Sequence, residues 1–129
     1  MLILRARLAL LLCLPLLAAC TATGLYDSPA GPYAIGRADD IVLTDPAQPR
    51  DIRLRVAYPQ APGPHPVVVF SHGAFCYPQL YAAITDLWVS HGYVVVLPDH
   101  PDSPNIQPPL RRDQMGGLTD TRIADLNFI

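Results

Sequence analysis

Charge is scarce in this sequence. Only 16% of its 129 residues are charged, with 9 Lys and Arg against 11 Asp and Glu, for a net charge of -2. A basic footprint is missing, so nucleic acid is not an expected partner. Intrinsic disorder is excluded as well, because half of the residues are hydrophobic. Cysteine is also scarce, with three in the chain. Cys13 falls in the N-terminal leader and Cys20 at its expected lipid-modified cleavage point, so Cys76 is left alone and an intramolecular disulfide is excluded. Cys76 reads as a small buried hydrophobe rather than a nucleophile; its one polar neighbour of note is His72. The apolar run from Leu8 to Leu17 falls well short of the about 20 residues of a comfortable membrane-spanning helix.

What is there begins with "MLILRARLALLLCLPLLAAC". Arg5 and Arg7 precede the apolar run, and small residues follow it. That is the order of a secretory signal. Leu17, Ala18 and Ala19 before Cys20 resemble a bacterial lipobox. The resemblance implies cleavage before Cys20 and lipid on its sulfur and new amino terminus. Cys13 fits less well, because neither Leu11 nor Leu12 before it is small. A plain signal peptide with an incidental cysteine and an uncleaved anchor stay open as alternatives. Thr21 stands where many Gram-negative lipoproteins kept at the inner membrane carry Asp, which implies the outer membrane. The expected division is a leader over 1–19, a tether over 20–38 and one domain over 39–129. The expected location is that of an exported lipoprotein, anchored on the periplasmic face or the cell surface.

The 15 prolines cluster at 59–66 and 98–109 and punctuate loops. "DIVLTD", 40–45, is a short strand candidate. "DIRLRVAYP", 51–59, alternates, with Ile52, Leu54, Val56 and Tyr58 on one face and Arg53 and Arg55 on the other. The two predict a hairpin. "VVVFS", 67–71, and "YVVVLP", 93–98, are continuous apolar runs, which predict strands buried on both faces. Between them "PQLYAAITDLWVSHG", 78–92, predicts a helix with Leu80, Ile84, Leu87 and Trp88 on one face, Pro78 in its first turn and Gly92 at its C-cap. Strand, helix and strand make a βαβ unit with parallel strands. "TDTRIADLNFI", 119–129, predicts a second helix, capped by Thr119 or Asp120, with Ile123, Leu126 and Phe128 apolar. The chain stops there without a C-cap.

A hairpin, an apolar strand ending in "SHG", a helix and then "SHGYVVVLPDHPDS" resemble the N-terminal half of an α/β-hydrolase. Within that fold they are most similar to secreted esterases of the platelet-activating-factor acetylhydrolase and dienelactone hydrolase type. The likeness covers residues from about 50 to 129. It implies an α/β fold, incomplete here, with a mostly parallel sheet and an antiparallel N-terminal hairpin. It implies acyl transfer to a Ser in a G-x-S-x-G elbow, followed by Asp and then His, without cofactor or metal. This sequence contains no G-x-S-x-G. Ser71, between Phe70 and His72, is not that motif. The nucleophile strand and the rest of the triad are expected beyond Ile129.

One element of the family's oxyanion hole maps onto this chain. It is the backbone N–H of Ala74, with Gly73 giving the turn its freedom. His72 is expected to brace the loop, with substrate contact as the alternative. Phe75 and Tyr77 are expected either to line the acyl pocket or to pack on the helix, and His100 is expected at the substrate pocket. Asp99, His100 and Asp102 look like metal ligands, but neighbours on an extended loop point apart. Arg122 and Asp125, spaced i, i+3, are expected to form a surface ion pair. The expected whole is the N-terminal part of a membrane-tethered serine esterase, inactive by itself, with an ester as the substrate of the complete enzyme. The alternatives are half of a partner-completed hydrolase and a non-catalytic binding lipoprotein.

Overall fold

The computed structural model describes residues 28–47, 50–108 and 110–129. The leader, Cys20 and the start of the tether lie outside these residues. Four strands form one sheet in the order β1-β2-β4-β3. They are β1 Ile35–Thr44, β2 Asp51–Pro59, β3 Val67–Val69 and β4 Val94–Asp99. Helix α1, Ala82–Ser90, connects β3 to β4, and helix α2, Leu118–Phe128, follows a long loop after β4.

The expected hairpin is present, with Ile35 opposite Pro59 and Thr44 opposite Asp51. Its first strand is longer than the segment 40–45, because pairing starts at Ile35, within the stretch read as tether. A bulge interrupts it between Ala38 and Ile41, where Asp40 adopts a left-handed conformation with φ 57°. The βαβ unit is present too, with Val67–Val69 parallel to Val94–Val96.

The sheet as a whole is mixed, not mostly parallel. The hairpin strand β2 takes the other side of β4 and pairs with it antiparallel, from Ala57 opposite Val95 to Arg53 opposite Asp99. Among the described residues β3 is a three-residue edge strand, and Val67 and Val69 are 61% and 41% exposed. An apolar run predicts a neighbour on each side, but no described strand lies beyond β3.

The two sheet faces are covered by different material. On one face Ala57, Val95 and Leu97 pack under Val89 of α1, with Phe70 and Trp88 beside them. Valine and leucine side chains such as Val89, Val95 and Leu97 contribute on the order of 1.5–3 kcal/mol each when fully buried. On the other face Ile52 and Leu54 are buried, opposite Leu43 and Pro98. The buried face of β2 thus changes halfway along, and Tyr58, expected inside, is exposed.

Helix α1 starts with a 3-10 turn over Pro78–Tyr81. The buried seam runs through Thr85, Val89 and Ser90, with Trp88 packed beside it, while Leu80 and Ile84 are exposed. Gly92 ends it as expected, with φ 101° and its N–H donating to Val89 O at 2.9 Å. Helix α2 is capped by Gly117 at φ 85°, not by Thr119 or Asp120. Ile123 and Phe128 on α2 are exposed, and Leu118 and Asp125 are its buried residues.

Candidate active site

The parallel strands β3 and β4 carry their next residues, Ser71–His72 and His100, to the same end of the sheet. Ligand sites of open α/β sheets form at this end. The two imidazoles lie with ring centroids 5.0 Å apart. Both are buried, and His100 is 0% exposed.

His100 sits in a relay. Asp125 as a carboxylate can only accept, so His100 Nδ1 bears a proton and donates to Asp125 Oδ2 at 3.1 Å. Its Nε2 is hydrogen-bonded to Ser71 Oγ at 2.9 Å. Arg50 Nη2, in the turn of the β1–β2 hairpin, lies 2.6 Å from both oxygens of Asp125. Burial pushes the Asp125 carboxyl up, but the His100 and Arg50 hydrogen bonds and charges outweigh it and hold the pKa below the ordinary 3.8. The relay thus ties together the hairpin turn, the ends of β3 and β4, and α2.

His72 anchors the neighbouring loop. Its Nε2 accepts the backbone N–H of His100 at 3.1 Å, so Nδ1 bears the proton and donates to Gly73 O at 2.8 Å. Burial lowers its pKa below 6.5, and the Gly73 hydrogen bond opposes this only in part. Protonation of Nε2 would break the bond from His100.

Around Ala74 several backbone polar groups are tied. Gly73 N–H donates to Tyr81 Oη at 3.0 Å, and Gly73 O accepts from Cys76 N–H at 3.1 Å. Phe75, at φ 57°, donates its N–H to Asp102 Oδ2 at 2.7 Å. Arg122 grips Asp102 with Nη2 2.7 and 2.8 Å from its two oxygens. Its Nη1 donates to His72 O at 2.6 Å, and Nη2 lies 3.4 Å from Gly73 O. Burial raises the Asp102 pKa, but the bonds from Arg122 and Phe75 prevail and hold it below 3.8. The Ala74 N–H itself makes no hydrogen bond among the described residues.

Several expectations change. The expected surface pair Arg122–Asp125 does not form; Arg122 pairs with Asp102 and Asp125 with Arg50, because both α2 residues face inward. His100, expected at a substrate pocket, is enclosed, with both ring nitrogens engaged. Asp99, His100 and Asp102 do point apart. Asp99 Oδ2 accepts from Asn105, while the other two join the relay and the Arg122 clamp. Among the described residues no cluster of three ligating side chains has the geometry of a metal site. Phe75 is exposed, Tyr77 is half-buried and Cys76 is a free, half-buried thiol. A cleft of about 320 Å³ lies nearby, lined by Arg53, Pro78, Gln79, Leu97, Asp99 and Asn105 among others; neither Ser71 nor Ala74 lines it.

Sequence reasoning missed Asp102, Arg50 and the inward role of Arg122 and Asp125. A signal existed for two of them. Leu118, Arg122 and Asp125 fall at i, i+4 and i+7, so the charged residues share a helix face with the buried leucine.

A family model for chlorophyllase matches residues 30–110, more than half of the chain. The chain belongs to the chlorophyllase family. That family lies in the α/β-hydrolase superfamily, so the matched residues form an esterase-like hydrolase region. No curated relative and no solved structure matches the chain. In this chlorophyllase-family chain the match spans the hairpin, the βαβ unit, the His72–Phe75 loop and Asp102; it stops before Arg122 and Asp125.

Proposed function

We propose that this chain forms the oxyanion-side part of a serine-dependent carboxylic-ester hydrolase whose nucleophile lies outside residues 1–129. The observation that carries this reading is the Ala74 N–H, free of protein partners while the groups around it are held. Such a donor stabilises the negative charge that develops on an ester oxygen in a tetrahedral intermediate. A single preorganised donor is worth about 3–4 kcal/mol. Two further features support the reading. The sequence has no G-x-S-x-G elbow. The outer edge of β3, with Val67 and Val69 exposed, suits a further strand that would bring one alongside the loop. Lipid on Cys20 would tether the enzyme to a membrane, in keeping with the lipobox-like "LAAC".

A second reading rests on the Ser71–His100–Asp125 relay. A hydroxyl, an imidazole and a carboxylate follow one another in the order used by serine hydrolases. His100 is wholly enclosed, however, and a catalytic imidazole must pass its proton to a leaving group. With Arg50 on Asp125, the relay also joins four segments of the chain, the pattern of a structural tie.

Ser71→Ala separates the two readings. Turnover of short-chain nitrophenyl esters by the natural gene product is measured with and without the substitution. If the nucleophile lies elsewhere, kcat/KM stays within about threefold. If Ser71 is the nucleophile, it falls by about 10⁴ or more.

A further inference from the structure

We propose that Arg122 and Asp102 are positioning residues that aim the Ala74 N–H at the oxyanion. This rests on the ester-hydrolase reading above. The Gly73 carbonyl and the Ala74 N–H belong to one planar trans peptide, so fixing the direction of one fixes the other. The carbonyl is held by three donors: His72 Nδ1 at 2.8 Å, Cys76 N–H at 3.1 Å and Arg122 Nη2 at 3.4 Å. Donors on a carbonyl also polarise the peptide and strengthen its N–H as a donor.

The next residue is held as well. Phe75 has a left-handed conformation that side chains disfavour. Strain of this kind persists only where the surroundings impose it. Here Asp102 Oδ2 accepts the Phe75 N–H at 2.7 Å. The Asp102 side chain is fully buried, and Arg122 is the cation that compensates its charge. Arg122 does more than neutralise that carboxylate. It also donates to His72 O at 2.6 Å, so the guanidinium holds the loop just before Ala74 while Asp102, the carboxylate it compensates, holds Phe75 just after it. An ion pair that served α2 docking alone would have no need of the bonds to His72 O and Gly73 O.

The test uses the natural gene product, with Arg122→Gln, Arg122→Lys and Asp102→Asn. Active sites are titrated with a fluorophosphonate, so that kcat is counted per folded enzyme. Loss of a whole oxyanion donor lowers kcat by about 10²–10³. Loss of its alignment is expected to lower kcat about 10–100-fold in Arg122→Gln, with KM within twofold. Arg122→Lys keeps the charge without the fork and is expected to fall between this variant and the wild type. Binding of a trifluoromethyl ketone, which mimics the tetrahedral intermediate, should weaken by the same factor as kcat/KM. A merely structural role would reduce the number of titratable sites and leave kcat per site and ketone affinity unchanged; that result overturns the proposal. A wild-type enzyme that neither turns over esters nor reacts with the fluorophosphonate overturns the hydrolase reading itself.

Discussion

Arg50→Ala probes the least expected feature of the structure, the attachment of α2 by charge. Asp125 is 0% exposed, and its carboxylate is held by Arg50 and His100. Removing Arg50 leaves a buried carboxylate with one N–H donor. Breaking a fully buried pair from one side costs about 3–5 kcal/mol. Arg50 is itself 26% exposed, so the low end applies, about 3 kcal/mol. That is a large share of the 5–15 kcal/mol typical of a whole domain. Asp125 also titrates differently in the variant. In the native chain its folded pKa lies below 3.8, so its contribution is present above that pH and is lost as pH falls through the folded value. Without Arg50, burial is opposed only by His100; the folded pKa rises and the loss begins at higher pH. Urea unfolding at neutral and mildly acidic pH measures both effects, provided the m-value is unchanged. The double variant Arg50→Met, Asp125→Leu should recover part of the loss, because it leaves no unpaired charge. A destabilisation below about 1 kcal/mol that vanishes in high salt would mark an ordinary surface pair and refute the reasoning.

Two further outcomes follow from the same geometry. The folded pKa of His72 lies below 6.5, so the unfolded chain takes up its proton first on acidification. Stability should fall as pH drops below about 6.5, and His72→Gln should flatten that part of the pH profile; an unchanged slope would show that His72 does not set it. Gly31→Ala places a Cβ 2.0 Å from Ser90 O, a backbone atom that cannot rotate away. It should destabilise by about 1–3 kcal/mol and open residues 28–34 to limited proteolysis, whereas an unaltered digestion pattern would contradict that packing.

Much of the scaffold was legible in the sequence because its signals are local. Alternation in 51–59 marked the hairpin, and "VVVFS", a helical segment and "YVVVLP" marked the βαβ unit. Strand order was not legible. A run such as 67–69 has the same composition at the centre of a sheet as at its edge. Nor does the pattern tell that β2, rather than a crossover strand, flanks β4. At the site, glycine marked a turn at Gly73, but the left-handed residue of the loop is Phe75, which nothing in its neighbours signals. The ties that hold it come from residues 27 and 49–50 positions away in sequence, Asp102 to Phe75 and Arg122 to Gly73 and His72. The spacing of Arg122 and Asp125 suggested a local pair because helix geometry alone favours i, i+3 neighbours. Burial decided otherwise, since each charge met a partner across the fold.

The central claim is that this chain presents an oxyanion donor to a nucleophile carried by another segment. The most direct measurement is mass-spectrometric mapping of the serine modified when the natural gene product reacts with a fluorophosphonate. The modified serine is expected to lie outside residues 1–129, in a strand-turn-helix elbow. An adduct on Ser71 would contradict the claim and make the Ser71–His100–Asp125 relay the catalytic unit.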